Sequence, residues 1–171
     1  MAITYEPIAT TTLGSTQTSV TFSSISGTYT DVILVCSIKP SDTQAPGLLC
    51  EVNSDTGTNY SGTFLYGDGS AAGSNRTTSQ TRFTLARQYG LGDSTTGQPN
   101  FITHFQNYSN ATTYKTVMTR ANTPSGTTYK GVEASVGLWR STSAITTIKV
   151  FVSAGGFASG STFSLYGIKS A

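Results

Sequence analysis

Strict alternation of apolar and polar residues, an abundance of β-branched and aromatic side chains, and turn residues at short intervals predict an all-β chain. The expected architecture is a single antiparallel β-sandwich, jelly-roll-like, with about ten strands and minimal helix. Charged residues make up only 11% of the sequence, against about 25% in an ordinary soluble domain. Ser and Thr fill roughly a third of the chain, with 18 glycines beside them. Polarity without charge often marks disorder, but disordered chains lack aromatic and β-branched residues. Here nine tyrosines, eight phenylalanines and many Val, Ile and Thr residues supply what pleated, half-buried strands favour. At 171 residues one domain can bury roughly 70% of its unfolded surface and needs no disulfide staples.

Residues 1–17 alternate weakly and contain Pro7, so they read as an N-terminal arm ahead of a sandwich domain at 18–171. "TSVTFSSI" (18–25) then sets Val20 and Phe22 against Thr21 and Ser23. "TDVILVCSIKP" (30–40) is apolar on both faces, as a strand covered on both sides of a sheet must be. Shorter strands follow at 48–53, 63–67 and 81–89. "NFITHFQNYS" (100–109) alternates Phe101, Thr103 and Phe105 with Ile102 and His104. Segments 113–121, 131–141, 145–154 and 161–169 complete the set. Gly, Asn, Asp and Pro clusters separate them, because these residues tolerate or impose turn geometry. The longest connections, 67–80 and 90–100, exceed what a hairpin needs and are candidate binding loops.

The last strand, "STFSLYGIK", carries Phe163 and Leu165 on one face and Tyr166 and Ile168 on the other. One face fills a core. The second needs cover from the arm, a loop or another subunit, which makes Tyr166 and Ile168 candidates for an oligomer interface.

Several function classes fall away. Net charge is +2 with the basic residues scattered, so no nucleic-acid footprint is expected. No apolar run approaches the roughly 18 residues of a membrane span, and the first residues lack a secretory pattern. Cys36 and Cys50 sit in apolar strands and read as buried free thiols. The one histidine, His104, has no G-x-S-x-G elbow to serve and reads as structural or surface. Most acids fall in turns, where Asp belongs for backbone reasons. Asn53, Asp55 and Gly57 alternate as in a calcium loop, but Phe64 stands where the closing Glu is required. Neither metal nor cofactor nor catalytic residue is therefore expected, and the chain reads as no enzyme. Exposed tyrosines and amides are what a subunit- or sugar-binding tip would use. Tyr60, Tyr66, Asp68, Asn107, Tyr108, Asn110, Tyr114 and Arg140 are the candidates for contacting a partner or a glycan.

Four stretches carry a resemblance along nearly the whole chain: "TYEPIATTTLGSTQTSVTFSSISGTYTDVILV", "DTGTNYSGTFLYGDGS", "FQNYSNATTYKTV" and "VGLWRSTSAITTIKVFVSAGGFASGSTFSLYGI". In that order they resemble small virion structural proteins of tailed bacteriophages, particularly phages of cyanobacteria. The resemblance implies a β-sandwich on the capsid surface or in the tail, made in the host cytoplasm. Two roles follow as expectations. One is a capsid decoration (cement) protein that binds the major capsid protein and its own copies, as a homotrimer, with the arm 1–17 bridging capsomers. The other is a tail-fibre adhesin that recognises host cell-surface polysaccharide through loops 67–80, 90–100 and 107–114.

Overall fold

In the computed structural model, which describes residues 4–93, 95–124 and 128–169, twelve strands form and no helix is present among the described residues. The strands, in chain order, are β1 (Tyr5–Thr12), β2 (Ser19–Phe22), β3 (Asp31–Ser37), β4 (Leu48–Val52), β5 (Tyr60–Gly67) and β6 (Ala72–Gln80). The second half holds β7 (Phe83–Ala86), β8 (Asn100–Gln106), β9 (Lys115–Thr123), β10 (Gly131–Trp139), β11 (Ile148–Val152) and β12 (Thr162–Ile168). They build an eight-stranded sheet in the order β1-β12-β3-β8-β9-β10-β5-β6 and a four-stranded sheet in the order β2-β11-β4-β7. Every pairing is antiparallel.

The strand order has a simple origin. With the hairpins β5–β6 and β9–β10 set aside, four strands remain in each sheet, β1-β12-β3-β8 and β2-β11-β4-β7. The chain then crosses between the sheets at every step except β4 to β7. That is the double Greek key of a jelly roll. The two hairpins both add to the same side of one sheet and widen it to eight strands.

Two strands exceed the ten expected. The arm is not free: β1 lies along β12, with Tyr5 opposite Ile168 and Thr12 opposite Thr162, and a bulge between Pro7 and Ala9. Pro7 is tolerated there because β1 is an edge strand. The supposed loop 67–80 is instead a tight turn followed by β6. Asp68 Oδ1 accepts the Ser70 and Ala71 N–H groups, each at 2.8 Å, and sends the chain back along β5.

The inner faces of the two sheets close one core. Val32, Leu34, Cys36, Phe101, Phe105, Phe163 and Leu165 of the large sheet meet Val20, Phe22, Leu48, Cys50, Val52, Ile148 and Val150 of the small one. Both cysteines are buried free thiols, and burial pushes each thiol well above its usual range. The central strand β3 alternates buried and half-buried positions along its length, in keeping with its two-faced sequence.

Candidate interaction surface

Strand β10, "GVEASVGLW", has its polarity reversed. Val132, Ala134 and Val136 face outward and are exposed, whereas Glu133, Ser135, Gly137 and Trp139 face the core. A slip by one residue would restore apolar-in alternation, so something must hold the register. Each inward residue has a specific partner. The buried Glu133 carboxylate accepts four consecutive backbone N–H groups, from Arg87 (2.9 Å), Gln88 (3.1 Å), Tyr89 (2.5 Å) and Gly90 (3.2 Å). Ser135 Oγ donates to the Leu85 carbonyl at 2.9 Å. Gly137 is packed by the Phe83 ring so closely that a Cβ would lie 2.5 Å from it. Trp139 Nε1 donates to Asp55 Oδ2 at 2.6 Å.

Neighbouring strand β9 behaves similarly at one end. Lys115 points inward opposite Trp139, is buried, and donates from Nζ to the Thr113 (2.6 Å) and Thr142 (3.1 Å) carbonyls. Burial holds its amine below the ordinary lysine range. At mid-strand Thr119 exchanges a hydroxyl bond with Thr103 across the core side at 3.1 Å.

The apolar side chains displaced from the core gather on the outer face of the large sheet. Register aligns them in rows. One row runs Pro7, Tyr166, Ile33, His104, Met118 and Val136. The next runs Ser164, Val35, Ile102, Arg120, Ala134 and Leu65. Tyr5 and Ile168 extend the patch at one end and Val132 at the other. Exposure is high for large apolar groups: Val132 61%, Leu65 59%, Tyr5 58%, Met118 50% and Val136 49%. Across the outward positions of β12, β3, β8, β9, β10 and β5 there is no Lys and no Glu. The charges there are Asp31 and Arg120. Asp31 pairs with His104 at 3.1 Å, and Arg120 makes no ion pair among the described residues. A depression of about 300 Å³ in this face is lined by Tyr5, Ile33, Ile102, His104, Met118 and Arg120.

The residues singled out from sequence divide between two ends of the sandwich. Tyr60, Asn107, Tyr108, Asn110, Tyr114 and Arg140 lie at the end where β5 begins and β8 finishes. Tyr66 and Asp68 lie at the other. The ends are about 23 Å apart along β5, at roughly 3.3 Å per residue. Loop 90–100 sits with Asp68, opposite the 107–114 tip, so the three expected loops do not converge on one site.

Two of the expected contacts are corrected outright. Tyr60 is fully buried, with its ring edge-on to Phe83 at 4.9 Å and its hydroxyl donating to the Asp55 carbonyl at 2.9 Å. Tyr108 is also fully buried and donates to the Ser26 carbonyl. Arg140 staples a loop, donating to Ser61 Oγ (3.2 Å) and the Thr58 carbonyl (3.1 Å). Asn110 Oδ1 accepts the Thr112 and Thr113 N–H groups at 2.7 and 2.8 Å, shaping its own turn. Asn107, at φ 48°, gives its N–H to Asp31 at 2.6 Å. Tyr66 is half-buried, edge-on to Tyr89 at 6.2 Å. Of the eight, Tyr114 stands out as an exposed ring. Tyr166 and Ile168 do lie on the outer face, half-buried. The arm reaches them edge to edge through Tyr5 and Pro7 and leaves the face open. Sequence reasoning missed Val132, Met118, Val136 and Leu65. The clue was present in β10, where Glu133 and Gly137 alternate with valines and an inward valine row would leave Trp139 outside.

No protein-family model matches the chain, and no curated protein sequence matches it. Among solved structures, a protein of unknown function from Shewanella oneidensis MR-1 aligns over 98% of this chain and 77% of its own. It shares 9% identity at a TM-score of 0.28. A structure described as a putative pore-forming toxin from Bacteroides vulgatus ATCC 8482 aligns over 91% of this chain and 60% of its own. It also shares 9% identity, at a TM-score of 0.11. Neither similarity reaches the level of a shared fold.

Proposed function

We propose that this chain is a non-enzymatic virion structural protein, a capsid decoration protein that stabilises a phage head by binding the shell together with its own copies. The observation that carries the reading is the reversed strand β10. A polar row is held inward by dedicated partners while a valine row is left for an external surface. Exposed apolar patches of this kind mark interaction sites. Depletion of Lys, Glu and Asp with Tyr, Met and Arg present is the composition of an interface centre. The sequence resemblance to phage virion proteins supplies the setting. The jelly roll is an architecture of viral capsid and lectin domains alike, so it fits this role without selecting it. The free edges of β1 and β6 offer main-chain groups for pairing with shell subunits.

The adhesin reading asks loops 90–100 and 107–114 to act together from opposite ends of the sandwich, and asks buried Tyr60 and Tyr108 to meet a glycan. The decisive experiment incubates the full chain with purified expanded heads lacking it and counts bound copies by quantitative mass spectrometry. Binding in proportion to capsomers, with heat and salt resistance restored, is the expected result. Heads that bind none, while host cells or their polysaccharide bind the protein, would replace decoration by adhesion.

A further inference from the structure

We infer that the outer face of the eight-stranded sheet is the seat of a second copy of this chain, so that two protomers stack large sheet on large sheet about a two-fold axis. The inference rests on the reading of the chain as an assembly protein and names the partner of its apolar face.

Area is the first argument. From β1 to β5 the sheet spans six interstrand spacings of about 4.8 Å. Outward side chains recur every ~6.8 Å along each strand, so the patch measures roughly 29 by 24 Å, about 700 Å². Each partner of a standard interface contributes about 800 Å². The face, polar positions such as Ser164, Asn100 and Thr63 included, is thus close to the area that one partner of a stable dimer buries.

Shape and charge favour a copy over an unrelated surface. A twisted sheet is matched best by another of the same twist, which is why stacked sheets pack face to face at about −30° and ~10 Å apart. The second copy brings that twist by construction. From β1 to β5 the face carries few charges, Asp31 paired with His104 at 3.1 Å and Arg120, with Arg76 of β6 at its rim, so two copies bring few like charges together. Met118 and Val136, mid-row and about half exposed, stand where an interface centre would fall. A surface that packs on itself is isologous and closes at two, in place of the three-fold assembly implied by the sequence resemblance.

The test is the solution mass of the full chain by sedimentation equilibrium, for the wild type, for Met118→Asp with Val136→Asp, and for Thr21→Asp. Thr21 is exposed on the small sheet and serves as the control. All three substitutions are at exposed positions, and circular dichroism melts check that each variant folds. A dimer mass for wild type and Thr21→Asp, with the dissociation constant raised at least about a hundredfold in the double variant, is expected, because like charges would face each other across the seam. A monomeric or trimeric wild type, or a dimer indifferent to the double substitution, overturns the inference. Head binding separates the two claims. A dimer that ignores heads sinks the decoration reading and leaves the dimer standing. A monomer whose head binding is abolished by the double substitution gives the face to the shell and refutes the dimer.

Discussion

Replacing Glu133 by Gln tests whether the reversed strand is held by its buried carboxylate. The two carboxylate oxygens divide four N–H donors between them: Oε2 takes Arg87 and Gln88, and Oε1 takes Tyr89 and Gly90. A glutamine keeps one acceptor oxygen. Whichever way its amide is turned, the NH₂ group faces two backbone N–H donors. Two charge-assisted bonds, each worth about 1.5–3 kcal/mol, are lost and two donors are left unsatisfied. A net destabilisation of about 3–4 kcal/mol follows, within the roughly 5–15 kcal/mol of a typical domain, so the variant should still fold. At about 2–4 °C per kcal/mol for a chain of this size, the melting temperature should fall by roughly 6–16 °C. Urea unfolding supplies the assay, with the midpoint lowered at unchanged m. Hydrogen exchange adds a local readout, since the amides of 87–90 should lose protection ahead of the core. A Gln variant within about 0.5 kcal/mol of wild type, the range of ordinary surface changes, or undiminished protection at 87–90, would refute the reasoning.

Lys115 gives a pH signature of defined sign. Burial lowers its folded pKa, so the unfolded chain binds the proton more tightly, and stability rises as pH climbs from the folded value toward about 10.4. Urea midpoints of wild type should show that rise and Lys115→Met should lack it; equal slopes would count against a buried amine. Asp68 gives a slope of the same sign in the acid range. The Ala71 and Ser70 donors hold its carboxyl at about 2, below the ordinary value of about 3.9. The turn's support is then complete above about pH 4 and fades as pH falls through about 2. NMR titration of the Ser70 and Ala71 amides should give that midpoint, absent in Asp68→Asn. Cys36 and Cys50, buried and free, should ignore a thiol reagent in the native protein and both react after unfolding. Native reactivity of either would mean that the core opens more readily than its packing implies.

What could be read from the sequence follows how each segment is buried. "DVILVCS" becomes the central strand β3 because apolar residues on both faces suit no other place. The arm's β1 and the whole of β6 escaped notice for the opposite reason. "AGSNRTTSQ" has no buried position, so no burial exists to write a period into it. It is a strand because the Asp68 turn lays it on the open edge of β5. Tyrosines mislead in their own way. The rings of Tyr60 and Tyr108 suit a core as well as a surface, and the Ser26 carbonyl that accepts the Tyr108 hydroxyl lies 82 residues away, so it meets the ring only once the chain has folded. The interaction face was half legible: Tyr166 and Ile168 announced a second apolar face on β12. Its extent across β9, β10 and β5 depends on the register locks of Glu133 and Trp139, whose partners lie 43 to 84 residues away.

The pairing of β1 with β12 brings the first and last strands side by side. Tyr5 and Ile168 are direct cross-strand partners, about 5 Å apart at Cα. A handful of residues could join them into a circle, and the chain could be reopened at the exposed Asp68–Ser70 turn to give a circular permutant of the same sandwich. It also means that chain leaving before Tyr5 and after Ile168 starts from one corner, beside the rim of the apolar face. Cargo displayed there would act as an umbrella over the surface where a second copy is proposed to sit, and fusion partners are best carried on the turn at the opposite end.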